Sequence, residues 1–128
     1  MSHNKIGDAE LAVALGTMRK LKRLNLSHNK LKNGLKLSES LINVKNIRYL
    51  NLAENTLQTS FKIDLSNNSK LKEVILNHNK LSSIVICKGK RKCQLITLDV
   101  SHNHLNYFEG IQYLAESLLT LNMSTNYL

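Results

Sequence analysis

The sequence predicts an α/β protein built as a right-handed solenoid, with a concave parallel β-sheet of five to six short strands and an irregular convex side that carries an N-terminal helix. One phrase, LxxLxLxxNxL, is complete five times, starting at residues 21, 47, 71, 95 and 118. Inside each copy, apolar and polar residues alternate as in a short strand with one buried face. Each copy is therefore interpreted as one turn of a coil whose strands stack about 4.7–4.9 Å apart and whose connections share one hand.

The asparagine of the phrase never loses its register with the leucines. Its six copies, from Asn4 to Asn126, are 25, 26, 24, 24 and 23 residues apart, which is the period of repeats that stack into solenoids. Residues 1–6 match the last six positions of a sixth copy. We expect one domain over 1–128 with a partial repeat at 1–20, and a slice of a longer array, because neither end carries the polar cap that solenoids need.

These repeats resemble the leucine-rich repeat family. The resemblance implies that the asparagines turn inward and form a ladder bonded to the backbone of the adjacent turn, as buried amides require. The ladder would comprise Asn29, Asn55, Asn79, Asn103 and Asn126. The phrase NKIGDAELAVAL is similar to the ribonuclease-inhibitor type of repeat, and LNYFEGIQYLAES is similar to the type found in phosphatase regulatory subunits. The family usually binds protein partners on the concave face, which is the function that the resemblance implies.

The connecting segments differ from one another and must also be packed, since the apolar positions of the phrase alone do not offset the conformational entropy of ordering the chain. Residues 7–20 have Ala and Leu at helical density with Asp8 near the start, which predicts a helix. The stretch FKIDLSNNSKL at 61–71 imitates the phrase but is predicted to be an extended convex segment. The apolar residues expected to pack are Leu35, Leu37, Leu41, Val44, Phe61, Ile63, Leu65, Ile84, Val85, Ile86, Tyr107, Phe108, Ile111 and Leu114.

Charge is distributed asymmetrically along the chain. Residues 1–92 hold all eighteen Lys and Arg and six of the nine acids, a net charge of +12, whereas 93–128 hold three acids and no Lys or Arg, a net charge of −3. Such asymmetry suggests an oriented, partly acidic partner. The alternative, that the lysines keep a repeat surface soluble, has about equal weight.

Positions two, three, five, seven and eight of the phrase are expected to face the concave side. Position two changes along the coil from Lys22, Arg48 and Lys72 to Ile96 and Leu119, so this face becomes less basic and more apolar. Exposed apolar side chains here would mark a protein contact, and Tyr49 beside Arg48 would be an anchor. The predicted partner-binding residues are Lys22, Arg23, Arg48, Tyr49, Lys72, Glu73, Ile75 and Ile96.

Nucleic acid is the rival partner for a basic surface, and the sequence disfavours it. The concave columns offer one aromatic residue, Tyr49, instead of a series of stacking platforms, and acids interrupt them. The run KGKRK at 88–92 could contact phosphates or act as a nuclear-import sequence, but a run this short is more often a solvated convex loop.

Histidines and cysteines are the candidate metal ligands. His3, His28, His78 and His102 share position eight, a column interrupted by Glu54, but no closed ligand set accompanies them, so no metal site and no cofactor is predicted. Cys87 and Cys93 could form a disulfide, yet without a visible secretion signal they are expected to be reduced.

No catalytic signature is present: Asp99 and Glu73 share the predicted face without a nucleophile or base beside them. The sequence thus predicts a non-catalytic protein-interaction module or scaffold; the alternative is a structural spacer in a larger signalling enzyme or receptor. Without a signal peptide or an apolar run of membrane-spanning length, we expect a cytoplasmic or nuclear location and no membrane partner. Uncapped ends also suggest end-to-end self-association.

Overall fold

The computed structural model describes residues 6–58, 63–88 and 93–128. Short strands alternate with helices and turns along the whole chain. The elements are α1 (Asp8–Leu15), β1 (Arg23–Asn25), α2 (Gly34–Leu41), β2 (Tyr49–Asn51), β3 (Ile63–Asp64), β4 (Glu73–Ile75), β5 (Ser83–Val85), β6 (Thr97–Asp99), β7 (Tyr107–Glu109), a 3-10 helix (Ile111–Leu114) and β8 (Thr120–Asn122).

Five strands, one from each complete phrase, form a parallel sheet in the order β1-β2-β4-β6-β8, here called the major sheet. The central leucine of β1, Leu24, pairs with Leu50, and Leu50 pairs with Val74, so the phrases stack in register. Hydrogen bonds continue past the strand ends, as when the Leu26 N–H donates to the Asn51 carbonyl at 2.8 Å. The predicted fold class, an α/β solenoid with a five-stranded parallel sheet, is confirmed.

The core lies behind the major sheet and runs the length of the coil. Alternate strand residues point into it, so that Leu24, Leu50, Val74 and Leu98 are buried while their neighbours in the strands are not. Connector residues complete it, among them Leu37, Leu41, Val44, Ile63, Leu65, Ile84 and Leu114. Burying an aliphatic side chain contributes about 1.5–3 kcal/mol, so both sides of the coil stabilise it.

Two helices cover the first coils. In α1, Leu11 and Leu15 are spaced four residues apart and bury one face, and Asp8 and Glu10 lie in the first turn, where the helix dipole favours acids. The N-terminal helix predicted within the connector at 7–20 is confirmed: it ends at Leu15, Gly16 follows, and residues 17–20 form turns. In α2 the Asn33 side chain caps the helix by accepting from the Lys36 N–H at 3.0 Å.

A second parallel sheet, with the order β3-β5-β7 and here called the minor sheet, replaces helices on the convex side of the later coils. The Asp64 N–H donates to the Ser38 hydroxyl at 2.9 Å and joins this sheet to α2. The prediction of an extended convex segment is confirmed at β3, while residues 61 and 62, with Phe61, lie outside the described residues. The sequence did not predict that such segments pair, because strands of two or three residues leave no alternation to detect.

Three of the connector residues expected in the core are exposed instead. Leu35 is 49% exposed, Tyr107 is 55% exposed and Ile111 is 37% exposed. Leu35 lies on the outer side of α2, whose core-facing positions are held by Leu37 and Leu41. Tyr107 lies in β7, whose only strand partner in the described part of the chain is β5, so no following strand covers it.

The expectation of reduced thiols is wrong: Cys87 and Cys93 form a disulfide, with their Cα atoms 6.3 Å apart. This separation lies in the range that a disulfide can span. The bond closes the connection between β5 and β6, a constraint that the absence of a visible secretion signal could not reveal.

Within the ranges 6–58, 63–88 and 93–128, no helix combines the length and the apolar character needed to cross a bilayer.

Candidate functional site

The outward face of the major sheet begins with a row of cations at position two. The Arg48 and Tyr49 N–H groups both donate to the Lys22 carbonyl, at 2.8 and 3.1 Å, and the same pattern joins the next strand to Arg48. Lys22, Arg48 and Lys72 therefore occupy equivalent places on adjacent coils, and all three are exposed. In the described part of the chain, which holds every acidic residue, none of the three forms an ion pair.

Beyond the cations, the same row becomes apolar. Ile96 is 37% exposed and Leu119 is 84% exposed. Ile75, one of the predicted partner-binding residues, is half-buried in β4. The face therefore presents charge over the first three strands and aliphatic surface over the last two.

Position three holds the central contact of this face. Arg23, in β1, places its guanidinium carbon 4.1 Å from the centroid of the Tyr49 ring in β2. The Tyr49 hydroxyl also accepts from the Asn51 amide at 3.4 Å. The sequence suggested Arg48 as the neighbour of Tyr49; the cation over its ring is Arg23, because residues 23 and 49 are directly paired across the two strands. Glu73 follows Tyr49 in the same row and is half-buried.

Positions five and seven form a repeated turn and are less available to a partner. The Asn25 side-chain oxygen accepts from the Ser27 N–H at 3.0 Å and the Ser27 hydroxyl at 2.8 Å. Asp99 does the same with Ser101, at 3.0 and 2.7 Å. The expectation that position seven faces the concave side is wrong for three coils, in which this residue is buried: Ser27, Ala53 and Ser101.

Position eight takes a left-handed backbone conformation in every complete copy. The φ angles are 52–55° at His28, Glu54, His78, His102 and Thr125. Side chains of this column contact their neighbours: His28 Nδ1 lies 2.9 Å from a Glu54 carboxylate oxygen, and the His78 and His102 rings stack with centroids 4.2 Å apart. The described residues contain no cluster of three or more His, Cys, Asp or Glu able to hold a metal ion. His3 lies outside them.

Beneath this face, the asparagines hold successive coils together. Asn55 Nδ2 donates to the carbonyl of Leu52 in its own coil at 3.0 Å and to that of Leu26 in the preceding coil at 2.9 Å, and its oxygen accepts from the Leu31 N–H at 3.1 Å. Asn79, Asn103 and Asn126 repeat this pattern. The oxygen of Asn29 accepts from the Ile6 N–H at 3.3 Å.

Of the basic run at 88–92, only Lys88 belongs to the described residues. Its amino group pairs with the Asp64 carboxylate in the minor sheet. Partial burial acts to raise the pKa of Asp64, but hydrogen bonds from Lys88 and Ser66 outweigh it and hold that pKa below its usual value. The same hydrogen bond raises the pKa of Lys88.

The last coil carries an open apolar surface. A shallow cavity of about 300 Å³ is lined there by Ile111, Leu114, Ala115, Leu118, Leu119 and Leu121. End-to-end association through this coil stays a prediction.

The comparisons with known proteins agree with this architecture. A family model described as Leucine Rich Repeat matches residues 20–43. Two curated proteins of Arabidopsis thaliana are similar: Receptor-like protein 18 is 33% identical over 86 residues, and Receptor-like protein 15 is 34% identical over 96 residues. The matches cover 67% and 71% of this chain and 10% of each relative, so the chain spans about a tenth of the length of the curated relatives it matches.

The fold and the asparagine ladder define a solenoid repeat protein, a class that works in general as protein-interaction modules. The chain belongs to the leucine-rich repeat family. The two subtype resemblances stay predictions.

Proposed function

We propose that the chain binds an acidic segment of a protein partner on the outward face of the major sheet and performs no chemistry there. The unpaired row of Lys22, Arg48 and Lys72 is the observation that carries the proposal. Three cations on adjacent coils, each directly before a strand and without an ion-pair partner, create a positive potential that attracts and orients an acidic surface.

The anchor of the proposed site is the Arg23–Tyr49 pair. Tyr and Arg are, with Trp, the side chains enriched among the residues that dominate binding energy in protein interfaces. Tyr49 is half-buried and held by both Arg23 and Asn51, so it loses little side-chain freedom on binding. Ile96 and Leu119 would contact an apolar part of the same partner, which fixes its direction along the coil.

Catalysis is not supported by the geometry of the face. Glu73 and Asp99 lie on adjacent strands, but the Asp99 carboxylate accepts two hydrogen bonds from Ser101. A general acid or base must reach the proton of a substrate, but the Asp99 carboxylate is engaged in this turn and the Ser101 side chain that bonds it is buried.

Peptides selected from an acidic display library on the purified chain provide the test. The Arg48→Ala/Lys72→Ala variant should weaken binding of the selected peptides at least tenfold by fluorescence anisotropy, and raising the salt concentration should weaken binding to the unaltered chain. A matched variant, Lys32→Ala/Lys36→Ala, removes two exposed charges away from the major sheet and should leave affinity unchanged. Equal losses in the two variants would refute the sheet-face site.

A second candidate function is favoured by the small share of each relative that the chain matches. Both are named receptor-like proteins, and the match covers a tenth of each. On this proposal the chain is one segment of a longer receptor ectodomain or signalling protein, and its face adds to a larger binding surface. Deleting its five repeats from the longer reading frame should then abolish ligand binding, whereas a pure spacer would tolerate replacement by five unrelated repeats.

The cytoplasmic or nuclear location stays a prediction, and the disulfide argues for another compartment. Disulfides persist in oxidising environments and are rare in the cytosol. We therefore propose that the chain works in an oxidising compartment, which mass analysis of alkylated protein from its own cells would test: two alkylated thiols would refute this location.

A further inference from the structure

Three Asn-x-Ser triplets occur in the chain, beginning at Asn25, Asn67 and Asn122. A triplet of this kind is the acceptor sequence for N-linked glycosylation when it lies on the surface of a protein that passes through the secretory pathway. The structure distinguishes the triplet at Asn67 from the other two.

Two of the triplets are explained by the fold alone. Asn25 and Asn122 occupy position five of the phrase, and each accepts from the N–H and the hydroxyl of the serine two residues later. Asp99 makes the same two bonds to Ser101, and Asp64 makes them to Ser66 in the minor sheet. Because aspartate serves as well as asparagine, this motif is a turn, and its match to an acceptor sequence carries no further information.

The triplet at Asn67 has no such explanation. It lies in the turns between β3 and β4, outside the register of both sheets. Asn67 and Ser69 are exposed, and neither side chain makes a hydrogen bond to the described residues. Between them, Asn68 is 3% exposed and donates to the carbonyls of Leu41 at 3.0 Å and Val44 at 3.3 Å. The middle residue thus anchors the turn while its two neighbours remain in solvent.

A second observation, independent of the triplet, indicates that the chain reaches the compartment in which N-linked glycans are added. The Cys87–Cys93 disulfide indicates an oxidising compartment, and N-linked glycans are added to chains entering one. We propose that Asn67 is an N-glycosylation site. The Asn67 amide nitrogen forms a bond to the first sugar of a lipid-linked oligosaccharide, the bond from that sugar to the lipid diphosphate breaks, and the amide loses one proton.

The position suits a bulky, solvated substituent. The turn at Asn67 packs against the C-terminal end of α2 and the residues that follow it, and belongs to no strand of the major sheet. A glycan there leaves the row of Lys22, Arg48 and Lys72 uncovered. The inference shares the oxidising compartment proposed above but does not depend on the proposed binding function, because it rests on the exposure of Asn67 and on the disulfide.

Peptide mapping of the protein purified from its own cells tests the site. Trypsin cleaves after Lys62 and Lys70 and releases residues 63–70, which contain Asn67; it also releases residues 24–30, which contain Asn25 and serve as the digestion control. Treatment with peptide N-glycosidase in heavy-oxygen water should convert Asn67 to labelled aspartate. Recovery of peptide 63–70 as unlabelled asparagine would overturn the proposal.

Matched variants in a secreting eukaryotic host provide the second measurement. Asn67→Gln and Ser69→Ala should each lose the glycan mass, whereas Ser69→Thr, which preserves the acceptor sequence, should keep it. Both substituted positions, 67 and 69, are exposed, so the thermal midpoint of each variant after deglycosylation should match that of the unaltered chain. Retention of the full glycan mass in Asn67→Gln would assign the modification elsewhere and overturn the inference.

Discussion

The guanidinium carbon of Arg23 lies 4.1 Å from the centre of the Tyr49 ring on the neighbouring strand of the major sheet. The two residues are 26 positions apart in the chain and are directly paired by the strand register. A cation over an aromatic face is stabilised by the ring quadrupole. The contact therefore joins the first two strands on the side where we propose that the partner binds.

The Arg23–Tyr49 contact should appear as a coupling energy. In a double-mutant cycle with Arg23→Ala and Tyr49→Leu, we expect about 0.5–1 kcal/mol of coupling in the free energy of unfolding, the magnitude for an exposed cation–π pair. Urea titration of the four proteins measures it. In the same cycle with Arg48→Ala in place of Arg23→Ala, the two free-energy changes should be additive within about 0.5 kcal/mol. A coupling energy for Arg48 equal to that for Arg23 would mean that Arg23 is not the specific partner of Tyr49.

Removal of one ladder amide should cost far more than removal of a nearby surface amide. Asn79 is 6% exposed, donates to the carbonyls of Leu52 and Leu76 and accepts from the Leu57 N–H. Asn79→Ala leaves the buried Leu57 N–H unsatisfied, at about 1–3 kcal/mol, and removes one of two donors from each carbonyl, since Leu52 and Leu76 still accept from Asn55 and Asn103. We therefore expect a loss of about 1–3 kcal/mol in urea unfolding. Asn77→Ala, two residues away and only half-buried, should change stability by about 0.5 kcal/mol or less.

Glycine is required at position 110 and dispensable at position 16. Gly110 has φ of +92°, and an added Cβ would lie 2.3 Å from the Cys87 carbonyl oxygen. Gly110→Ala should therefore destabilise the fold by more than the roughly 1–3 kcal/mol of backbone strain alone. At Gly16 an added Cβ would make ordinary contacts at 3.5 Å, and Gly16→Ala should be neutral or stabilise by up to about 1 kcal/mol. Thermal unfolding distinguishes the two; similar midpoints would contradict this packing.

The Asp64–Lys88 pair should make stability depend on pH at both extremes. The pKa of Asp64 is lowered in the folded chain, so its contribution is present above the unfolded value of about 3.9 and is lost as pH falls through the folded value. The pKa of Lys88 is raised, so its contribution is lost only as pH rises above about 10.4. The unfolding free energy of Asp64→Asn should therefore fall below that of the unaltered chain at pH 7 and approach it at acid pH. A difference that stays constant with pH would refute the pair.

Reduction of the disulfide should lower stability without changing the fold class. For a loop as short as that between Cys87 and Cys93, the chain-entropy relation gives about 2–3 kcal/mol. A reducing agent should lower the urea midpoint of the unaltered chain by a corresponding amount. It should leave the midpoint of Cys87→Ala/Cys93→Ala unchanged, and an equal response of the double variant would show that the agent acts elsewhere.

Much of the coil could be predicted because short stretches of the sequence specify each strand and its buried side. The alternation around Leu50 and Leu52 identifies a strand and its buried side within six residues, and repetition supplies the stacking. The helix α1 was predictable from the density of Ala and Leu after Asp8, although the sequence did not define the residue at which it ends. The minor sheet was not visible, because Ile63 and Asp64 form a strand only when β5 lies beside them.

The candidate face was predictable only in part. The sequence identified the columns that contain Lys22, Arg48 and Lys72, since they follow from the phrase. It identified Tyr49 as an anchor but not Arg23 as the cation over its ring, and it wrongly treated position seven as open. Both shortcomings have one cause: side-chain contacts across strands and turns depend on residues some 25 positions away.

By itself the sequence determined the repeating unit, the direction in which its leucines and asparagines point, and the change from basic to apolar along one face, because each follows from the spacing of residue types along one turn of the coil. Only the tertiary structure decided which cation covers Tyr49, how the convex segments pair and that Cys87 bonds Cys93. It also decided which of the three Asn-x-Ser triplets, the one at Asn67, is exposed and makes no turn bond between its asparagine and serine. These depend on which coils become neighbours and on how closely their atoms approach, and no local pattern encodes either.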